Sequence, residues 1–109
     1  MNPQLMTPRK SAAQLEYTLS FPDPVDLSEE EIELRIGYQG QPPKICKTPQ
    51  VFEVDGQMRG LRFKLNETDT DLRPAAYRSE IWINFTGFGW VRQSSESFTI
   101  SPVVERCES

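Results

Sequence analysis

The sequence contains no histidine. Its absence excludes the most common general base, the usual serine and cysteine triads, and every metal site that uses an imidazole. Cysteine is almost as scarce, since only Cys46 and Cys107 occur and their separation matches no zinc motif. The sequence alone does not decide whether these two cysteines form a disulfide. No catalytic residue, metal or other cofactor is therefore predicted.

Long apolar runs are missing as well. No stretch approaches the ~20 residues that a transmembrane helix needs. Residues 1–14 are polar, hold two prolines and lack the apolar centre of a secretory signal. Neither a membrane partner nor a signal peptide is expected.

The charge is small in total but uneven along the chain. A net charge of −4 over 109 residues argues against a general nucleic-acid binder, because such proteins usually have a basic surface. Residues 16–33 hold seven acids and no base, whereas residues 35–64 hold six bases and two acids. These segments could pair between subunits or guide docking to a partner. The alternative is two solvated faces.

Several short stretches alternate apolar and polar residues, which is the period of a strand with one buried face. The predicted strands are residues 15–21, 32–38, 51–54, 61–65, 77–85 and 90–100. The second stretch has a helical alternative, because Ser28 is a possible N-cap with Glu31 three residues later. Its strict alternation favours the strand. Six or seven strands separated by turn residues indicate an all-β, antiparallel sandwich.

The sandwich is placed at residues 15–103, between an N-terminal arm, residues 1–14, and a C-terminal tail, residues 104–109. The tail either adds a final short strand or trails off. The arm has no periodic apolar face of its own. It is expected to contact a neighbouring subunit and to become ordered on assembly.

Acidic residues alternate in the segment LNETDTDL, residues 65–72, as the first ligands of a calcium loop would. An EF-hand loop that begins at Glu67 needs glycine at its sixth position and glutamate at its twelfth. Leu72 and Arg78 occupy those positions, so calcium binding by Glu67, Asp69 and Asp71 is not expected.

A structural role fits this segment better. Asn66 is expected to cap one short helical turn near residues 67–72, with Asp69 at the third position after it. Leu72 then enters the core, and Pro74 prevents the helix from continuing.

The candidate functional residues are aromatic and basic. Trp82 shares the polar face of its strand, opposite the apolar positions, and Phe88 and Trp90 lie at a glycine-rich turn. Exposed aromatics are typical anchors of protein interfaces. The predicted protein interface consists of Trp82, Phe88, Trp90, Arg9 and Lys10. The alternative for the two tryptophans is local packing against other side chains.

Three stretches together resemble a small domain that recurs in structural proteins of tailed bacteriophages, including the N-terminal part of baseplate upper proteins. The matching residues are Pro24-Val25-Asp26-Leu27-Ser28 with Ile32 and Ile36, then Leu65 to Leu72, then Tyr77 with Glu80-Ile81. Glu29 and Ala76 depart from the pattern, since glycine is usual at both positions. The resemblance covers residues 15–103 and implies an immunoglobulin-like β-sandwich with no catalytic residues.

The same resemblance implies a non-enzymatic virion structural protein of a tail, baseplate or fibre. Such a protein would bind other virion proteins, form a homo-oligomer, ring or fibre, and reach the virion after assembly in the bacterial cytoplasm. Cys46 and Cys107 are then expected to be unpaired, because that compartment is reducing. The alternative is a carbohydrate- or host-receptor-binding module that uses Trp82, Phe88 and Trp90, or a capsid decoration protein.

Overall fold

The computed structural model describes residues 5–21, 27, 30–55, 58–104 and 107. This part of the chain is all β, with short turns between strands. In chain order the strands are β1 (Leu5–Pro8), β2 (Ala13–Ser20), β3 (Glu31–Gly37), β4 (Ile45–Lys47), β5 (Gln50–Asp55), β6 (Met58–Leu65), β7 (Ala75–Phe85) and β8 (Gly89–Ser101). The all-β prediction and the six predicted strands are confirmed, and β3 excludes the helical alternative over residues 31–37. Strands β1 and β4 were not predicted.

The strands form two sheets that face each other as an immunoglobulin-like sandwich. Sheet A has five strands in the order β1-β8-β7-β3-β4, and sheet B has three in the order β2-β6-β5. Among the strands that the structure describes, every pairing is antiparallel except that of β1 with β8, which is parallel. The β7–β8 hairpin joins the two longest strands, of 11 and 13 residues.

Alternation in the sequence places the core between the sheets. Sheet A contributes alternate residues of β3 and β7, and sheet B contributes the inward positions of β6. The buried apolar residues are Phe21, Leu27, Ile32, Leu34, Ile36, Ile45, Leu61, Phe63, Leu65, Tyr77, Ile81, Ile83, Phe98 and Ile100. Burying this apolar surface supplies the main driving force for the fold. The intervening residues of the same strands form the outer faces.

The N-terminal region differs from the predicted arm. Residues 5–8 pair with Phe98 to Ser101 as β1, and residues 13–14 belong to β2. Backbone hydrogen bonds to β8 order this segment, and that pairing needs no apolar period in the side chains. Residues 1–4 lie outside the described part of the chain, as do residues 105, 106, 108 and 109 of the predicted tail.

The turn predicted after Asn66 is present. The Asn66 side chain accepts a hydrogen bond from the Asp69 amide, and the Asp69 carboxylate accepts one from the Asn66 amide, each at 2.8 Å. This reciprocal pattern is that of a capping box. The described residues 66–72 hold a hydrogen-bonded turn and no helix, with Leu72 packed against the core. Thr70 is the residue of this turn that becomes fully buried.

Tyr77 fixes the start of β7. Its hydroxyl donates a hydrogen bond to the Arg73 carbonyl at 2.5 Å, four residues upstream. This contact resembles the tyrosine corner of immunoglobulin-like sandwiches. The Tyr77 ring packs against Tyr38 at 4.9 Å between centroids.

Across the described residues, no helix is both long and apolar enough to span a membrane.

Candidate protein-binding face

The outer face of sheet A carries a patch of aromatic and charged side chains. Register explains why they meet, since Glu33 lies opposite Trp82, Arg35 lies opposite Glu80, and Trp82 lies opposite Arg92. Trp90 is a diagonal neighbour of Trp82, because it pairs with the residue two positions further along β7. We call this patch the outer face; it consists of Glu33, Arg35, Glu80, Trp82, Trp90 and Arg92.

Arg35 is the centre of the outer face. Its guanidinium lies 4.7 Å from the ring centroid of Trp82 and 5.0 Å from that of Trp90. A guanidinium within about 6 Å of an aromatic ring is attracted to it by about 0.5–1 kcal/mol at an exposed site. Glu33 accepts a hydrogen bond from Arg35 Nε at 2.9 Å. These contacts hold both indole rings in fixed positions at the surface.

Glu80 organises the other half of the outer face. One carboxylate oxygen accepts a hydrogen bond from Trp82 Nε1 and the other accepts one from Arg92, both at 3.0 Å. The Trp82 hydrogen bond, followed by the hydrogen bond from Arg92 and its positive charge, lowers the pKa of Glu80 against the opposing effect of burial. Glu80 is therefore ionised at neutral pH and orients the Trp82 ring.

An open groove of about 370 Å³ adjoins the outer face. It lies at the end of β3, where the chain turns towards β4. Its lining includes Glu33, Arg35, Tyr38, Gln39, Gln41 and Arg78. Arg73 donates a hydrogen bond to the Tyr38 hydroxyl at 3.2 Å, and this contact lowers the pKa of Tyr38. The groove thus combines amide, hydroxyl and guanidinium groups beside an aromatic surface.

Phe88 lies at the tip of the β7–β8 hairpin and is 82% exposed. Gly87 and Gly89 flank it with φ of +78° and +119°, conformations that favour glycine. Glu30 holds the base of this tip, because its carboxylate accepts hydrogen bonds from the Thr86 amide at 2.7 Å and the Thr86 hydroxyl at 2.9 Å. The tip therefore presents a large apolar ring on an anchored turn.

The structure brings together only some of the predicted interface residues. Trp82 is half-buried in the outer face, and Trp90 beside it is 38% exposed. Arg9 and Lys10 lie in the turn after β1, where the Arg9 amide bonds the Ser101 carbonyl. Twelve residue steps along β8 separate Ser101 from the hairpin tip, or about 40 Å at the usual rise per residue. The basic pair therefore forms a separate surface, where Arg9 pairs with Asp71 at 3.0 Å.

Sequence reasoning missed the charged half of the outer face. The sequence pattern makes Glu33 a solvated carboxylate, and it does not distinguish Arg35 or Arg92 from other surface charges. The available signal was the alternation of Glu31, Glu33 and Arg35 on the polar side of β3. That signal shows which face these residues occupy, but it does not identify β7 as the neighbouring strand.

Ion pairs within the chain use some of the charges that the sequence made available for pairing between subunits. Arg62 Nε lies 2.9 Å from the Glu16 carboxylate, and Arg35 Nε lies 2.9 Å from that of Glu33. Each pair joins the acidic segment to the basic segment inside one molecule. Asp69, which lies outside the acidic segment, pairs with Lys47 at 2.9 Å.

Among the described residues, no group of three or more cysteine or acidic side chains is arranged to hold a metal ion.

Comparison with known proteins finds no matching family and a distant structural similarity. No family model matches the chain, and no curated protein matches it. Among solved structures, the chain is similar to the crystal structure of AggA, the major subunit of aggregative adherence fimbriae type I from Escherichia coli. The sequence identity is 10%, the match covers 94% of this chain and 100% of that chain, and the TM-score is 0.32. The functional proposal therefore rests on the residues of this chain.

Proposed function

We propose that this chain is a non-enzymatic structural module that assembles with other proteins through the outer face. The observation that carries the proposal is the arrangement of Arg35 between Trp82 and Trp90. Aromatic and arginine side chains are enriched at protein interfaces, and rings that are already held in place lose little conformational entropy when they bind. The exposed Phe88 at the hairpin tip provides a second anchor.

The finer proposal is a component of a bacteriophage tail, baseplate or fibre that binds other virion proteins. Its support is the ordered set of motifs that resembles phage structural domains. The described thiols, Cys46 and Cys107, are both exposed and free, as suits a protein assembled in a reducing cytoplasm.

The test is binding to the proteins encoded beside this chain's own gene, measured with purified components. Trp90→Ala removes one ring of the outer face and should weaken a partner complex at least tenfold, the usual scale for loss of an interface anchor. Deleting residues 1–14 is not a clean test, because the deletion would remove β1 and the start of β2.

Phe52→Ala is the matched control. Phe52 also carries a stacked guanidinium, that of Arg62 at 4.9 Å, but it lies on sheet B, away from the outer face. This variant should bind the partner as well as the wild type does. Equal weakening by both variants would contradict an interface on the outer face, and so would normal binding by Trp90→Ala.

The groove beside the outer face favours a second candidate, a carbohydrate- or receptor-binding module. Amide and hydroxyl groups next to an aromatic ring are the usual means of holding a polar ligand in a shallow site. A fluorescent label at Cys46, which lies opposite Arg35 in β4, would report occupation of this region in a Cys107→Ser variant, where Cys46 is the remaining cysteine. Saturable glycan binding that Trp90→Ala abolishes, with no protein partner found, would favour this candidate.

A further inference from the structure

Strand β2 has an unpaired edge. It is the end strand of sheet B, and among the described residues only β6 pairs with it. All eight residues of β2 are in continuous register with β6, from Ala13 opposite Leu65 to Ser20 opposite Met58. The strand contains no proline, no bulge and no lysine. One row of its backbone N–H and C=O groups is therefore available to another strand.

The other edges are blunted in the ways that natural sheets use to prevent strand addition. β1 has four residues and ends in proline, and β4 has three residues. β5 changes register between Glu53 and Asp55. β8 extends beyond β1, but its free part contains a bulge at Gln93. Ile81 pairs with Ser94 and Trp82 pairs with Arg92, which leaves Gln93 without a partner residue in β7. Among the described strands, β2 alone has a long, regular and open edge.

The inward side chains of β2 also remain incompletely covered. Ala13, Leu15, Tyr17 and Leu19 pack against the core but are only half-buried. One strand further into sheet B, Leu61 and Phe63 are fully buried. The apolar interior of the sandwich thus reaches solvent along β2, and a further strand beside β2 would cover it.

We propose that β2 pairs with β2 of a second copy of this chain, in antiparallel orientation, to form a continuous six-stranded sheet. Residues directly opposite each other in antiparallel strands have their side chains on the same face. A continuous interior therefore needs odd-numbered residues opposite odd-numbered ones. Two registers meet this condition and still pair most of β2 with its copy. In one of them Tyr17 lies opposite Tyr17, and in the other Glu16 lies opposite Glu16.

Charge selects the first register. Centring the pair on Tyr17 places Leu15 opposite Leu19 and Glu16 opposite Thr18, so that the apolar row is extended and no like charges face each other. Centring it on Glu16 would place two carboxylates directly opposite, which is destabilising. The pairing of Glu16 with Arg62 of its own chain leaves the Glu16 side chain 47% exposed, within reach of a neighbouring strand.

Opposite charges at residue 18 test both the interface and its register. Thr18 is exposed on the solvent side of β2, so the substitutions leave the core unchanged. Thr18→Glu would face Glu16 of the second copy twice across the two-fold axis, and Thr18→Lys would form two ion pairs with it. Two cross-strand pairs should change the dimer Kd by about two- to thirty-fold in opposite directions. Arg62 partly neutralises the charge of Glu16, so we expect changes in Kd in the lower half of that range.

Sedimentation equilibrium over a wide concentration range is the measurement, with thermal unfolding to show that each variant folds. Thr48→Glu and Thr48→Lys are the matched controls, because they make the same substitutions at an exposed threonine just before β5, at the opposite edge of sheet B from β2. They should leave the dimer Kd unchanged. The strengthening by Thr18→Lys should fade at high salt, as exposed ion pairs do.

A wild-type chain that remains monomeric up to millimolar concentration would overturn the proposal, including the case in which the chain's own tail covers β2. A dimer that responds equally to Thr18→Glu and Thr18→Lys would overturn it too, because its contacts would then lie elsewhere. The inference deepens the proposed assembly role but uses a different surface. Trp90→Ala should leave this dimer intact, and Thr18→Glu should leave partner binding at the outer face intact, so the two proposals fail separately.

Discussion

Thr70→Val tests how the N-terminal region is held to the sandwich. The Thr70 hydroxyl is fully buried, donates a hydrogen bond to the Ser11 carbonyl at 2.7 Å and accepts one from the Ser11 amide at 2.9 Å. One side chain in the turn after β6 thereby binds both backbone groups of Ser11, which lies in the connection between β1 and β2. Valine has nearly the same shape as threonine and can make neither bond.

The magnitude follows from these two bonds. Each intramolecular hydrogen bond contributes about 0.5–1.5 kcal/mol net, so their loss should cost about 1–3 kcal/mol. Ser11 is half-buried, and water can replace part of what is lost, which favours a value near ~2 kcal/mol. Thr70→Ser is the matched control, since it keeps the hydroxyl and loses one buried methyl group, at a cost of about 1 kcal/mol.

Thermal and urea unfolding of the wild type and both variants give the comparison. At about 4–8 °C per kcal/mol, Thr70→Val should lower the Tm by about 8–16 °C and Thr70→Ser by about 4–8 °C. Hydrogen exchange at the Ser11 amide should become faster in Thr70→Val, while Thr70→Ser keeps its protection. If Thr70→Val were as stable as Thr70→Ser, packing of the methyl group and not the hydroxyl would hold this connection, and the reasoning would be refuted.

Three further predictions concern single groups. Burial opposes ionisation of Asp69, but hydrogen bonds from Lys47 and a backbone amide outweigh it and lower its pKa. A lowered pKa stabilises the fold above the unfolded value of about 3.9, and this contribution is lost as pH falls through the folded pKa. Asp69→Asn should therefore be less stable than the wild type at neutral pH, and the gap should close in urea titrations below about pH 4; a gap independent of pH would contradict this. Tyr77→Phe loses the tyrosine-corner hydrogen bond and should lower the free energy of unfolding by about 0.5–1.5 kcal/mol, with no change in the slope against urea. Alkylation without reduction should modify both Cys46 and Cys107 in mass spectra, and a bridged peptide would show that they pair.

The sequence by itself determined the six longer strands and the buried face of each. Alternation is a local property with a period of two, so apolar positions such as Ile32, Leu34 and Ile36 define both a strand and its buried face. Capping of the turn after Asn66 was equally predictable, because donor and acceptor lie within three residues of each other. The absence of histidine restricts the possible chemistry through composition alone, whatever the fold.

Tertiary structure decided which strands are neighbours, and with that the outer face. Arg35, Trp82 and Trp90 come from three strands, and their contact depends on the register of β3 with β7 and of β7 with β8. Register between distant strands is a long-range property, which one-dimensional periodicity does not encode. The same reason applies to β1 and β4. These strands are four and three residues long, too short for a periodic signal, and their order comes from backbone hydrogen bonds to partners that only the folded sheet supplies.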